Sequence, residues 1–145
     1  MIEGVIITPL KQFLDERGKV MHMLKNTDEH FNGFGEIYFS YVYPKMIKAW
    51  HIHKKMTLNY VAAYGKIKLV LYDDREKSKT NGNFLSVEIS VENYQRLTVP
   101  PGVWLAFRGN FDGINLILNV ANMEHDPDEV EKQGLEKIEY KWNAV

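Results

Sequence analysis

The stretch Lys66-Ile67-Lys68-Leu69-Val70-Leu71-Tyr72 decides the fold. Ile67, Leu69 and Leu71 fall on one face, with Lys66, Lys68 and Tyr72 among those on the other, which is the two-residue period of a half-buried strand. Working outward, Phe84-Leu85-Ser86-Val87-Glu88-Ile89-Ser90-Val91 alternates again, as does Glu36-Ile37-Tyr38-Phe39-Ser40-Tyr41-Val42-Tyr43, which Pro44 closes. Asn115-Leu116-Ile117-Leu118-Asn119-Val120 is a shorter, more apolar strand. Turn residues separate them: Asp73-Asp74, Asn81-Gly82-Asn83, Pro100-Pro101-Gly102, and the stretch from Gly109 to Gly113. Many short strands spaced in this way predict an all-β chain that is closed or sandwiched. Helix is scarce. Residues 126–134 are predicted as a short C-terminal helical segment: Asp126 caps it, Pro127 suits its first position, acids fill its first turn and Gly134 ends it. The charged run Asp74-Arg75-Glu76-Lys77-Ser78-Lys79-Thr80-Asn81-Gly82 is predicted as a solvated hairpin connection.

The whole chain, residues 1–145, is long enough for one domain and short for two. Hydrophobic residues make up 45% of it, enough for a packed core. A net charge of -1 gives no broad basic surface for nucleic acid. A local group of lysines can still hold an anionic ligand, because a local field needs no net charge. The chain has no cysteine, which excludes disulfide scaffolds, thiolate metal sites and cysteine nucleophiles. The apolar run after Met1 is too short and lacks the basic start of a secretory leader. No stretch reaches the roughly 20 apolar residues of a membrane helix. The expectation is a soluble, cytoplasmic protein with no membrane partner.

The sharpest chemical feature is Lys48-Ala49-Trp50-His51-Ile52-His53-Lys54-Lys55. In a strand His51 and His53 point to one face. Two such imidazoles can share a metal, one can serve as a base, or both can be surface residues of a polar strand. The six residues after His53 hold no carboxylate, and residues 100–107 hold no histidine. Two neutral ligands bind a divalent ion weakly, so no metal is expected. As a base, histidine suits removal of a proton beside a ketone, with a cation or phenol to stabilise the enolate. Lys48, Lys54 and Lys55 would attract phosphate and lower the proton affinity of a neighbouring imidazole. Trp50, Tyr60, Tyr64 and Trp104 offer flat faces for a base or sugar, or else simply pack.

Several segments, in order, resemble the dTDP-4-dehydrorhamnose 3,5-epimerase family. Phe13-Leu14-Asp15-Glu16-Arg17-Gly18 is similar to its Asp-x-Arg-Gly element, and Ile47-Lys48-Ala49-Trp50-His51 to its Arg-Gly-Leu-His segment. Tyr72-Asp73-Asp74-Arg75 resembles its Val-Asp-x-Arg strand end. Glu92-Asn93, Val99-Pro100-Pro101-Gly102 and Ile138-Glu139-Tyr140-Lys141-Trp142 resemble its later motifs. The His-x-His-Lys-Lys run is also similar to sugar-nucleotide 3,4-ketoisomerases. The resemblance implies a cupin jelly-roll barrel, a homodimer, no metal or cofactor, and a dTDP-linked 4-keto-6-deoxy sugar as substrate. It implies His51 as the base; His53, on the same strand face, and His125, as a stand-in for the base's missing partner, are further catalytic candidates. It gives Arg17 and Lys48 to the diphosphate and Lys66 or Lys68 to the keto oxygen; Tyr60 and Trp104, for their flat faces, are the candidates for substrate binding. Where the family carries a tyrosine before its C-terminal segment, this chain reads Asn119-Val120-Ala121-Asn122-Met123-Glu124-His125. A nucleotide-sugar-binding cupin without turnover, or a sugar-nucleotide 3,4-ketoisomerase, is the alternative reading.

Overall fold

The structure, a computed structural model, describes residues 1–142. After β1 (Ile6–Pro9), a hairpin of β2 (Gln12–Asp15) and β3 (Gly18–Met21) stands apart. The remaining strands are β4 (Glu36–Val42), β5 (Ile47–His53), β6 (Leu58–Tyr64), β7 (Lys66–Tyr72), β8 (Phe84–Ser90), β9 (Gln95–Val99), β10 (Trp104–Gly109), β11 (Asn115–Ala121) and β12 (Val130–Lys132). They form two five-stranded antiparallel sheets, in the orders β1-β9-β6-β11-β4 and β12-β5-β10-β7-β8. The sheets face each other as a jelly-roll barrel, and the four strands read from alternation all form within a residue of their expected ends.

The alternation in β7 works on both faces. Ile67, Leu69 and Leu71 are wholly buried between the sheets with Leu58, Leu97, Leu105 and Ile117. On the other face Val70 joins Trp50, Trp104 and Ala106, which the C-terminal Ile138 and Trp142 cover. The closing Ile-x-x-x-Trp motif therefore supplies an outer layer to the second sheet. Its aromatic contacts run on from Trp142 edge-to-face to Tyr140, and from Tyr140, tilted, to Phe84.

The helix expected over residues 126–134 does not form. Asp126 instead bends the chain: its side chain accepts from the Asp128 N–H, and its carbonyl from the Glu129 N–H. Val130–Lys132 then pairs with β5 as an edge strand. Asp, Pro and Gly favour a turn as readily as a helix start. The open edge of β5 and the buried partners of Glu129 decide between the two. The only helical turn among the described residues is 3-10, at Leu135–Lys137.

The charged loop after β7 is pinned rather than free. The buried Asp73 carboxylate accepts from Arg75, Ser78 and Thr80 at 2.6–2.9 Å. Those bonds, led by Arg75, hold its carboxyl well below the usual range. Among the described residues no helix is long and apolar enough to cross a membrane.

Candidate active site

A cavity of about 300 Å³ opens at one end of the barrel, lined in part by Tyr38, Lys48, His51, His53, Phe107 and His125. The registers explain how β5 fills it. Leu105 faces His51 while Phe107 faces Lys48, so two residues along β10 are matched by three along β5. This bulge breaks the alternation between Lys48 and His51 and turns both toward the cavity. Beyond it the period of two resumes, and His51 and His53 share a face with ring centroids 5.6 Å apart. Trp50, between them, goes to the outer layer.

Phe107 forms the floor. The rings of His51 and Tyr60 lie 6.2 and 6.3 Å from its centroid, and the Lys48 ammonium 6.0 Å from it. The His51 ring makes no hydrogen bond to the protein among the described residues. Burial first, then the charges of His53 and Lys132, push its pKa from 6.5 down to about 4. Near neutral pH it is therefore an uncharged imidazole with a free lone pair.

His53 is held differently. Its Nδ1 lies 2.7 Å from Oε2 of Glu129, and both side chains are buried. The other oxygen, Oε1, accepts the backbone N–H groups of Lys55 and Met56 at 2.8 Å. Burial alone would raise the Glu129 carboxyl. The donated hydrogen bonds, those of Lys55, His53 and Met56, outweigh it and bring the pKa below its ordinary value. A carboxylate at Nδ1 places the proton there and leaves Nε2 as the acceptor.

The facing wall carries phenols. Tyr38 on β4 stands opposite Asn119 on β11, and Asn119 opposite Tyr60 on β6. Oδ1 of Asn119 accepts the Asn59 N–H at 3.0 Å, and its Nδ2 donates to the Tyr38 hydroxyl at 3.0 Å. Tyr60 is buried behind them. Burial, then the charge and hydrogen bond of Tyr38, hold its phenol well above the ordinary value.

The structure thus brings together His51, His53, Lys48 and His125 of the residues named from sequence, with Tyr60 just behind. It keeps the others apart from this cavity. Arg17 sits exposed at the β2–β3 turn, paired with Asp15. Lys66 pairs with Glu88. Lys68 lies over the Tyr140 ring on the outer layer. The Trp104 indole donates to Asp74 on that same side. Glu129, Tyr38, Asn119 and Lys132 were not singled out from sequence. Tyr38 was within reach of it, since it alternates with Ile37 and Phe39 in a strand whose period was plain. Glu129 was hidden by the helix assigned to its segment. No group of three or more His, Cys, Asp or Glu gathers to hold a metal among the described residues.

A family model described as dTDP-4-dehydrorhamnose 3,5-epimerase matches residues 1–142. The chain belongs to this family. It is 30% identical to the spore coat polysaccharide biosynthesis protein SpsL of Bacillus subtilis, over 99% of this chain and 98% of that one. It is 28% identical to the probable low-salt glycan biosynthesis epimerase Agl13 of Haloferax volcanii, over 99% and 96% of the two chains. The crystal structure of a dTDP sugar isomerase from Desulfovibrio desulfuricans superposes with a TM-score of 0.94 at 37% identity, covering 99% of this chain and 94% of that one. The protein is accordingly an isomerase of the epimerase family, with the cupin jelly roll expected from its sequence.

Proposed function

We propose that this epimerase-family member acts on a dTDP-linked 4-keto-6-deoxy sugar, with His51 as the base that removes a proton from the carbon beside the ketone. The observation that carries this reading is an uncharged imidazole in a part-enclosed cavity beside the ammonium of Lys48. The lone pair takes the proton, and the cation stabilises negative charge on the substrate. His53, fixed by Glu129, packs its ring against His51 and holds it in place. His125 stands at the rim, where it meets the sugar.

The exposed face of β4 fits a homodimer. Ile37, Phe39, Tyr41 and Tyr43 are each more than half exposed, in a row along β4 and its end, at the open edge of the first sheet. An apolar row on an unpaired edge suits a second copy of the chain. Lack of cysteine supports a cytoplasmic place for the protein.

The test is solvent deuterium. Incubated in deuterated water with a panel of dTDP-4-keto-6-deoxyhexoses, the protein is expected to incorporate label beside the ketone, and His51→Ala to lose this by about 10²-fold or more. No incorporation from any sugar of the panel would refute the reading.

A further inference from the structure

We propose that Tyr38 is a catalytic residue whose phenol, on the wall opposite the imidazoles, delivers the proton that completes inversion at the carbon His51 deprotonates. This rests on the reading of His51 as base and narrows it to a reaction that changes configuration.

The first argument is where the cavity's residues come from. Lys48, His51 and His53 lie on β5, Phe107 on β10, and Val130 and Lys132 on β12, all strands of the second sheet. Tyr38 is the one strand residue lining the cavity, among the described residues, that the first sheet contributes. Inversion demands this arrangement. An enolate is flat; a proton taken from one face and returned by a group on the same wall restores the starting configuration. A donor on the facing wall gives the other isomer. Lys48 and Lys132 share the base's sheet and do not meet that condition.

The second argument is how the phenol is held. The Asn59 N–H can only donate, so it fixes Oδ1 of Asn119 as its acceptor and turns Nδ2 toward Tyr38. The Tyr38 oxygen accepts from that amide, and its own hydrogen is left for an acceptor in the cavity. Asn119 is buried, with both ends of its amide engaged. Packing alone would be served by an apolar residue there. The neighbouring Tyr60 is buried behind Tyr38 and Asn119, and burial keeps its own proton in place. Of the two phenols, Tyr38 alone lines the cavity, with a proton to give.

The step balances without a cofactor. The C–H bond breaks, its proton passes to His51 and its electron pair enters the enolate. A new C–H bond then forms on the opposite face with the Tyr38 proton, as the ketone is restored. Imidazolium and phenolate recover their starting states by exchange with water.

Exchange and inversion separate the two claims. In deuterated water with a dTDP-4-keto-6-deoxyhexose, the wild type is expected to incorporate label and to invert. Tyr38→Phe is expected to keep deuterium incorporation within about 10-fold and to lose inversion by about 10²-fold or more. Its affinity for dTDP, by calorimetry, is expected to be unchanged. Asn119→Asp keeps the acceptor for Asn59 and loses the donor to Tyr38; it is expected to lower the ratio of inversion to exchange less severely. Tyr38→Phe that inverts at near wild-type rate overturns the inference, as does loss of exchange together with inversion. Wild-type exchange without inversion overturns it and leaves His51 as base. A wild type with no exchange at all removes the proposed function itself.

Discussion

The two walls of the cavity are built in opposite ways. On the second sheet the chemistry is local: Lys48, His51 and His53 fall within six residues of one strand, and one buried carboxylate, Glu129, ties its end to the C-terminal segment. On the first sheet it is distributed: Tyr38, Asn119 and Tyr60 come from three strands and meet only through sheet register. The imidazole wall depends on a charge and on the proton affinity of one ring. The phenol wall depends on neutral hydrogen bonds in a row. The first should be sensitive to loss of charge and to pH, the second to single hydroxyl or amide groups.

The largest expected effect strikes the imidazole wall. Glu129→Ala leaves His53 Nδ1 and the N–H groups of Lys55 and Met56 without their acceptor. Stranding several buried polar groups costs about 3–5 kcal/mol. For a chain of this size that lowers Tm by roughly 10 °C or more, measurable by calorimetry. Glu129→Gln keeps an acceptor for the backbone and places an amide opposite Nδ1, which reverses the preferred tautomer of His53. It is expected to recover most of the stability while deuterium exchange falls at least about 10-fold. Equal exchange in Glu129→Gln and wild type would show that the carboxylate serves the fold alone.

The next effect is in pH. The folded His51 titrates near 4, below its ordinary 6.5, so between those values the unfolded chain binds the extra proton. The stability tied to His51 is fully present above 6.5 and is lost as pH falls toward 4. As a base it must be unprotonated. The acid limb of kcat/KM for exchange is therefore expected well below pH 6, with a slope of one proton. A limb near 6.5, in a protein shown by circular dichroism to be folded there, would mean that an ordinary, solvated imidazole does the work. The buried one would then be excluded.

The difference between the walls also explains what could be read from the sequence. Strand alternation exposed β7, β8 and β11 because each buries one face, and β4 through its alternating aromatic and apolar residues even though only Val42 in it is buried. His-x-His stood out because its members are two residues apart. The bulge that turns Lys48 toward His51 was invisible, since it is a property of pairing with β10. Glu129 was misread because Asp126, Pro127 and Gly134 satisfy the local rules of a helix while the edge of β5 offers a better partner. Sidedness separates the aromatic and lysine residues named from the sequence. Trp104 and Lys68 belong to the layer that the C-terminal segment covers. The row from Tyr38 to Tyr60 needs two registers, and neither is written in any one segment.

The smallest effect tests whether that row acts as a unit. Tyr60→Phe removes one buried hydroxyl and keeps the ring against Phe107. A neutral hydrogen bond is worth about 0.5–1.5 kcal/mol, so stability should fall by no more than that. His51 and Glu129 are untouched, so deuterium exchange should stay at the wild-type rate. Inversion should fall a few-fold, because the Tyr38 phenolate that forms as the proton leaves loses a polar neighbour in the row through Asn119. A fall in inversion with exchange preserved would mark Tyr60 as a positioning residue acting through Tyr38. An equal fall in both would mean that the first sheet supports the substrate as a whole. The separation of the walls by chemistry would then fail, although their separation in space would stand.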